Sequence, residues 1–166
     1  NVFGVILGTG VGGGLVINGD VLTGKNNICG EWGHNPLPWP TSDEIPGPKC
    51  YCGQTGCIET FLSGPGLTKA HQIRTGLSVT AQKIAELYSE QHTARLTIEQ
   101  YVNRLARALA HVVNLLDPDT IVLGGGLSNM EILYVQVPQL WSQYIFSDSI
   151  TTELKRNEHG DSSGVR

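Results

Sequence analysis

Three cysteines and a histidine carry the densest chemistry in this sequence. His34 precedes Cys50, Cys52 and Cys57; only Tyr51 separates the first two cysteines, and Gly53 and Gly56 loop the chain back to the third. Tetrahedral zinc takes four thiolate or imidazole ligands at about 2.0–2.3 Å, and a tight glycine-containing turn can present three thiolates to one ion. His34 completes a closed set of three cysteines and one histidine, which suits a structural site. Disulfides fit less well. Cys50 and Cys52 are too close in sequence to pair comfortably, and a domain of this size needs no staple. Cys29 is left over: it is a rival fourth ligand or, as a free cysteine commonly is, a small buried residue.

Two glycine clusters could approach a ligand through their backbone. Gly8-Thr9-Gly10 closes the apolar run Val2–Leu7 and, with Gly13, matches the spacing of a dinucleotide-binding turn. That motif requires a helix directly afterwards, to hold the pyrophosphate at its N-terminus. A second strand follows here instead, so the dinucleotide reading fails. No lysine with serine or threonine follows a glycine loop, which excludes a Walker-type phosphate loop. What remains is a strand–turn–strand in which Gly8, Thr9 and Gly10 either offer N–H groups and a hydroxyl to a phosphate or form a plain hairpin turn. Gly124-Gly125-Gly126 follows a buried strand and precedes a helix, where α/β sheets bind ligands, although tight strand-to-helix packing would use the same residues.

The elements that position these groups are legible from pattern. Strands are expected at 2–7, at 14–17 closed by Asn18-Gly19, near 21–22, and at 120–123. Residues 24–49 read as a long loop holding five of the eight prolines, and a loop of that length is usually functional. Helices are expected from Ile58 to Leu62, Thr80 to Gln91, Thr97 to Leu116, and about Asn129 to Tyr144 with Pro138 kinking or splitting the last. In the third, Thr97 and Gln100 can form a capping box, and Ile98, Val102, Leu105, Leu109, Val112 and Leu116 recur on one apolar face until Asp117-Pro118. Strands followed by helix–strand–helix describe a mixed α/β domain, single over 1–166 and without internal repeats.

Composition narrows the function classes. With 166 residues, 40% of them hydrophobic, the chain can bury a real core and is not disordered. Eleven basic against fifteen acidic residues give a charge of −4 and no basic cluster, so no nucleic-acid partner is expected. No apolar run approaches the ~18 residues of a membrane span. The chain opens on Asn1 directly into a strand, and its last residues, Gly160-Asp161-Ser162-Ser163-Gly164-Val165-Arg166, read like a helix just beginning, with Asp161 as its cap. Both ends read as those of a piece of a longer chain. The same closing segment resembles a serine-protease nucleophile stretch, but the chain offers no second convincing triad member.

Several of these pieces together resemble the ROK family of sugar kinases and repressors. Glu31-Trp32-Gly33-His34 resembles the family's E-x-G-H sugar loop, and Cys50-Tyr51-Cys52-Gly53-Gln54-Thr55-Gly56-Cys57-Ile58-Glu59 resembles its zinc motif. Leu7 to Gly14 resembles its second phosphate loop, and Asp117 to Gly126 its adenosine-side segment. Gly30 to Trp39 and His159 to Arg166 look most like bacterial fructokinases. The resemblance implies an actin-like, hexokinase-type ATPase fold of which this chain is most of the C-terminal lobe, with a zinc and sugar loop over 24–59. It implies Glu31, His34 and Glu59 as sugar ligands, His34, Cys50, Cys52 and Cys57 as structural zinc ligands, and Gly8, Thr9, Gly10, Gly124, Gly125 and Gly126 as ATP contacts. Mg-ATP and a hexose, most simply fructose converted to fructose 6-phosphate, are the implied substrates, with a homodimer in the cytoplasm. The family's general base is an Asp of the other lobe, so this piece alone is expected to be inactive. Two rivals share the pattern: a sugar-responsive repressor with an upstream helix-turn-helix, and a freestanding zinc-stabilised binding domain.

Overall fold

A computed structural model describes residues 1–158 and 160. The expected cap at Asp161 and the residues after it, with His159, lie outside the described residues. Five strands form one mixed sheet in the order β3-β2-β1-β4-β5: β1 Val2–Leu7, β2 Val11–Ile17, β3 Asp20–Leu22, β4 Thr120–Gly124 and β5 Glu153–Arg156. β1 pairs antiparallel with β2 and parallel with β4, and β4 pairs parallel with β5. The period-two alternation of β1 sends Phe3, Val5 and Leu7 into one core with Ile121 and Leu123 of β4. No helix among the described residues is long and apolar enough to cross a membrane.

Among the described residues five helices complete that core: α1 Ile58–Leu62, α2 Gly64–Thr75, α3 Ala81–Glu86, α4 His92–Leu116 and α5 Glu131–Trp141. The expected face of α4 is buried at Ile98, Val102, Leu105, Leu109 and Val112, but Leu116 is 39% exposed where the helix runs out. The expected capping box at Thr97 is not a cap. α4 starts five residues earlier, and Thr97 is a buried interior position whose hydroxyl donates to Thr93 O at 2.9 Å and pairs with His71 Nδ1 at 3.0 Å. A threonine hydroxyl can bond the preceding turn as readily as it caps, and the buried His71 of α2 selects the first use. Asp117 then ends the helix in the left-handed region at φ 42°, ahead of Pro118.

Four further expectations shift. β2 starts at Val11, not Gly14, because Gly12, Gly13 and Gly14 pair with Ile6, Val5 and Gly4 in register. The second helix closes at Glu86, well short of Gln91, and Pro138 sits inside α5, which runs through it. The segment 24–49 is not without structure: short 3₁₀ turns form at Trp32–His34 and Ser42–Glu44.

The Ser42–Glu44 turn anchors the proline-rich loop to α4. Glu44 is 5% exposed and accepts from Arg104 Nε at 2.7 Å and Arg107 Nη2 at 2.9 Å, while its other oxygen accepts from Thr41 N–H at 2.9 Å. Arg107 also donates to Trp39 O at 2.6 Å, and Arg104 lies over the Phe61 ring at 4.8 Å. Burial alone would raise the Glu44 carboxyl, but the hydrogen bonds from Arg104, Thr41 and Arg107 outweigh it and hold the group below the ordinary glutamate value of 4.5. A carboxyl held low adds stability that is complete above that ordinary value and is lost as pH falls through the lower folded one. Removing one partner of such a buried set leaves charge uncompensated. Glu44→Gln is therefore expected to cost ~3–5 kcal/mol at neutral pH. In urea unfolding the gap from the parent should shrink as the pH is lowered below about 4, and a gap that is constant with pH would contradict the assignment.

Candidate metal and ligand site

Cys50, Cys52 and Cys57 are brought together by a hairpin that two glycines make possible. Gly53 and Gly56 sit at φ 93° and 72°, where a side chain would be strained. Cys50 N–H donates to Gln54 O at 2.8 Å and Gly56 N–H to Pro48 O at 2.9 Å, closing the turn. Leu37 N–H donates to Gly56 O at 2.9 Å and Ile58 N–H to Asn35 O at 2.8 Å, which fastens the hairpin to the segment carrying His34. The thiols of Cys50, Cys52 and Cys57 and a ring nitrogen of His34 lie within 4.8 Å of one another. All are free thiols, and Cys29 stands apart from the set, half-buried against the core.

Two edges of the donor set match those of a tetrahedral ion, within an overall spread of 4.8 Å. Metal–sulfur bonds of about 2.3 Å and a metal–nitrogen bond of about 2.0 Å require edges of about 3.8 Å between two sulfurs and about 3.5 Å between sulfur and nitrogen. Cys52 and Cys57 Sγ are 3.7 Å apart, and Cys50 Sγ is 3.5 Å from His34 Nδ1. The thiols are electrostatically unequal. A backbone hydrogen bond from Gln54 lowers Cys52 to about 7, while burial and its thiol neighbours push Cys57 up to about 12. Three crowded sulfurs cannot all ionise unless a cation neutralises them.

His34 faces two ways. Nδ1 points to Cys50, and Nε2 lies 2.9 Å from the phenol oxygen of Tyr51, whose ring meets the imidazole edge-to-face at 5.0 Å between centroids. Local desolvation raises the Tyr51 phenol, although the residue as a whole is exposed, and the negative charges of Glu59, Cys50, Glu31 and Cys52 add to it. Both acidic residues singled out in the sequence thus stand close enough to act on one phenol beside His34. Glu31 is exposed and leads the 3₁₀ turn that ends at His34.

Glu59 does more than its position in a helix's first turn would suggest. Cys57 is the N-cap of α1, and Glu59 Oε2 accepts from Val11 N–H at 2.9 Å, just past the Gly8-Thr9-Gly10 turn. An added Cβ on Gly10 would lie 2.6 Å from the same oxygen. Gly8 O also accepts from Gly64 N–H at 2.8 Å, so the first turn of α1 and the start of α2 are both tied to this turn. Within the turn, Gly8 N–H is committed to Gly10 O at 3.0 Å, so it is not a free donor for a phosphate.

The second glycine cluster divides. Gly125, at φ 82°, is packed so closely on β1 that a Cβ would lie 2.5 Å from Leu7 O, and Gly124 ends β4. Gly126, with Gly8 and Thr9, lines an open cavity of about 1030 Å³ whose walls include Ala81, Ala85, Met130 and Ile132. These apolar wall residues come from α3 and the start of α5, and no sequence motif marks them. Gly10, Gly124 and Gly125 do not line it.

The model of the ROK family matches residues 1–166. An N-acetyl-D-glucosamine kinase from Salmonella paratyphi B is 39% identical over 170 residues, covering 99% of this chain and 56% of that protein. A ROK hexokinase from Thermus thermophilus superposes with TM-score 0.84 at 28% identity, over 98% of this chain and 53% of that one. A ROK family transcriptional regulator, a homologue of the E. coli MLC protein, superposes with TM-score 0.78 at 26% identity, over 94% and 41%. The chain spans about half the length of the curated relatives it matches.

Two glycines give a contrast that tests these contacts. At Gly10 the obstructing atom is the tip of a side chain, which can swing; at Gly33 an added Cβ would lie 2.0 Å from the backbone oxygen of Val11, which cannot. Gly10→Ala is expected to cost ~1–2 kcal/mol, one charge-assisted hydrogen bond, and Gly33→Ala ~3 kcal/mol or more. Denaturant unfolding of both variants checks the order, and equal losses would contradict it.

Proposed function

This chain belongs to the ROK family, and from that membership and the site geometry we propose that it is the C-terminal lobe of an ATP-dependent sugar kinase. One observation carries the proposal. Glu59, two residues after the cysteine that caps α1, holds the glycine turn with one carboxylate oxygen, and among the described residues its other oxygen makes no hydrogen bond. A sugar ligand and a phosphate turn are thereby joined through a single side chain. Glu31 and the other oxygen of Glu59 accept hydroxyl hydrogen bonds, and His34 Nε2 donates one. Zinc closes the three-cysteine, one-histidine set and holds the imidazole in place; its role is structural.

The large cavity takes the nucleotide, its apolar walls against the adenosine and Gly8, Thr9 and Gly126 near the phosphates. Mg²⁺ supplies charge neutralisation on the phosphates when bound. In this reading Gly124 and Gly125 act by bringing the β4 terminus against β1. Phosphoryl transfer also needs a base for the acceptor hydroxyl, which the family resemblance assigns to an Asp of the other lobe, so this lobe alone does not turn over. Two hexoses are in competition. The sequence resemblance favours fructose, and the name of the 39% identical relative favours N-acetylglucosamine.

The repressor is the alternative, supported by the likeness to the transcriptional regulator. ADP release by the full-length gene product with Mg-ATP and fructose, N-acetylglucosamine, mannose or glucose separates the two. Turnover with one sugar and none by residues 1–166 alone is the expected result. Sugar binding without turnover by the full-length protein would favour the repressor.

A further inference from the structure

The outward nitrogen of His34 is already occupied. Its Nδ1 faces the cysteines, and in a neutral imidazole whose Nδ1 serves as a ligand the remaining proton sits on Nε2. That N–H points at the phenol oxygen of Tyr51, 2.9 Å away. A sugar hydroxyl accepting from His34 needs the same place, so the phenol and the sugar cannot both hold it.

We propose that Tyr51 is a displaceable occupant of the sugar site, its phenol oxygen standing where a hexose hydroxyl oxygen binds His34 Nε2. The inference rests on the reading of His34 as a sugar donor. Tyr51 is placed for such a role. Its backbone is fixed between two cysteines of the metal set, yet its side chain is in the open, with 83% of the residue exposed. Among the described residues its side-chain hydrogen bond is to His34, and its ring contact is to the same imidazole. Swinging away therefore loses one hydrogen bond and one edge contact and uncovers no core.

Two consequences follow from competition for one donor. Hexose affinity is reduced by the fraction of time Tyr51 is bound, which for a hydrogen bond of ordinary net strength is about threefold to tenfold. Discrimination is sharpened as well, because a sugar without an acceptor oxygen at this position gains nothing to offset the bond it breaks. Tyr51 is thus a specificity-determining residue that acts by occupying the site ahead of the substrate.

Tyr51→Phe tests this, since it keeps the ring and its edge contact and removes only the competing oxygen. Fructose, N-acetylglucosamine, mannose and glucose are titrated by calorimetry, without nucleotide, into zinc-loaded full-length parent and variant. The expected result is a Kd about threefold to tenfold lower in the variant for the sugar that binds best, with the kinetic effect in hexose KM rather than kcat. A Kd that is unchanged or higher in the variant, with the parent binding normally, would overturn the displacement. Binding of none of the four sugars by either protein would overturn the sugar-site reading itself and the displacement with it.

Discussion

The distance along the chain from Cys57 to Glu59 is the constraint on which the site depends. Cys57 caps α1 and contributes its thiol to the metal set, and within the same first turn Glu59 reaches the Val11 N–H. A helix turn is stiff, so whatever fixes the cap fixes the backbone from which the Glu59 carboxylate reaches. The hairpin bonds through Leu37 and Ile58 carry the same constraint back to the segment of His34. The cysteine–histidine set, the backbone of Glu59 and the glycine turn are thereby linked through one short stretch of chain.

The glycines of β2 serve this arrangement by what they leave out. A Cβ on Gly13 would lie 2.9 Å from Gly4 O and 3.0 Å from both the Phe3 and Trp32 rings. Trp32 can therefore lie flush on the strand, where its indole N–H donates to Gly12 O at 2.9 Å and its ring meets Phe3 edge-on. Gly30, at φ 99°, makes an equally close approach, 2.2 Å from Gly13 O for an added Cβ. The loop bearing Glu31 and His34 is seated by backbone-to-backbone packing that only glycine on both sides permits. Its far end is held by Glu44 between two arginines of α4.

What could be foreseen from the sequence follows from how local each signal is. The gathering of His34, Cys50, Cys52 and Cys57 was legible because their types and close spacing point to one cluster. The core face of α4 was legible because apolar periodicity survives in a single chain. The start of β2 was not, since glycines carry no side-chain pattern and read as turn while their backbone pairs as strand. α2 escaped for a related reason: it opens Gly64-Pro65-Gly66 and is nucleated by Ser63, whose hydroxyl accepts from Gly66 N–H at 3.2 Å. The Thr97 box matched a local rule that a buried histidine 26 residues away overrode. β5, Glu-Leu-Lys-Arg, is polar and mostly exposed, and only its pairing with β4 makes it a strand. Glu59 was named through family likeness alone; its bond to Val11 depends on tertiary contact that no spacing reveals.

The hold of the cysteine–histidine set on Glu59, and so on the glycine turn, can be tested at one atom. Hydrogen exchange at the Val11 amide, followed by NMR in zinc-loaded and zinc-stripped protein, reads the Glu59 contact directly. Stripping is predicted to speed exchange at Val11 by an order of magnitude or more while Val5 and Leu123, in the middle of the sheet, change little. Val11 exchange that is unaffected by loss of the metal would contradict the account.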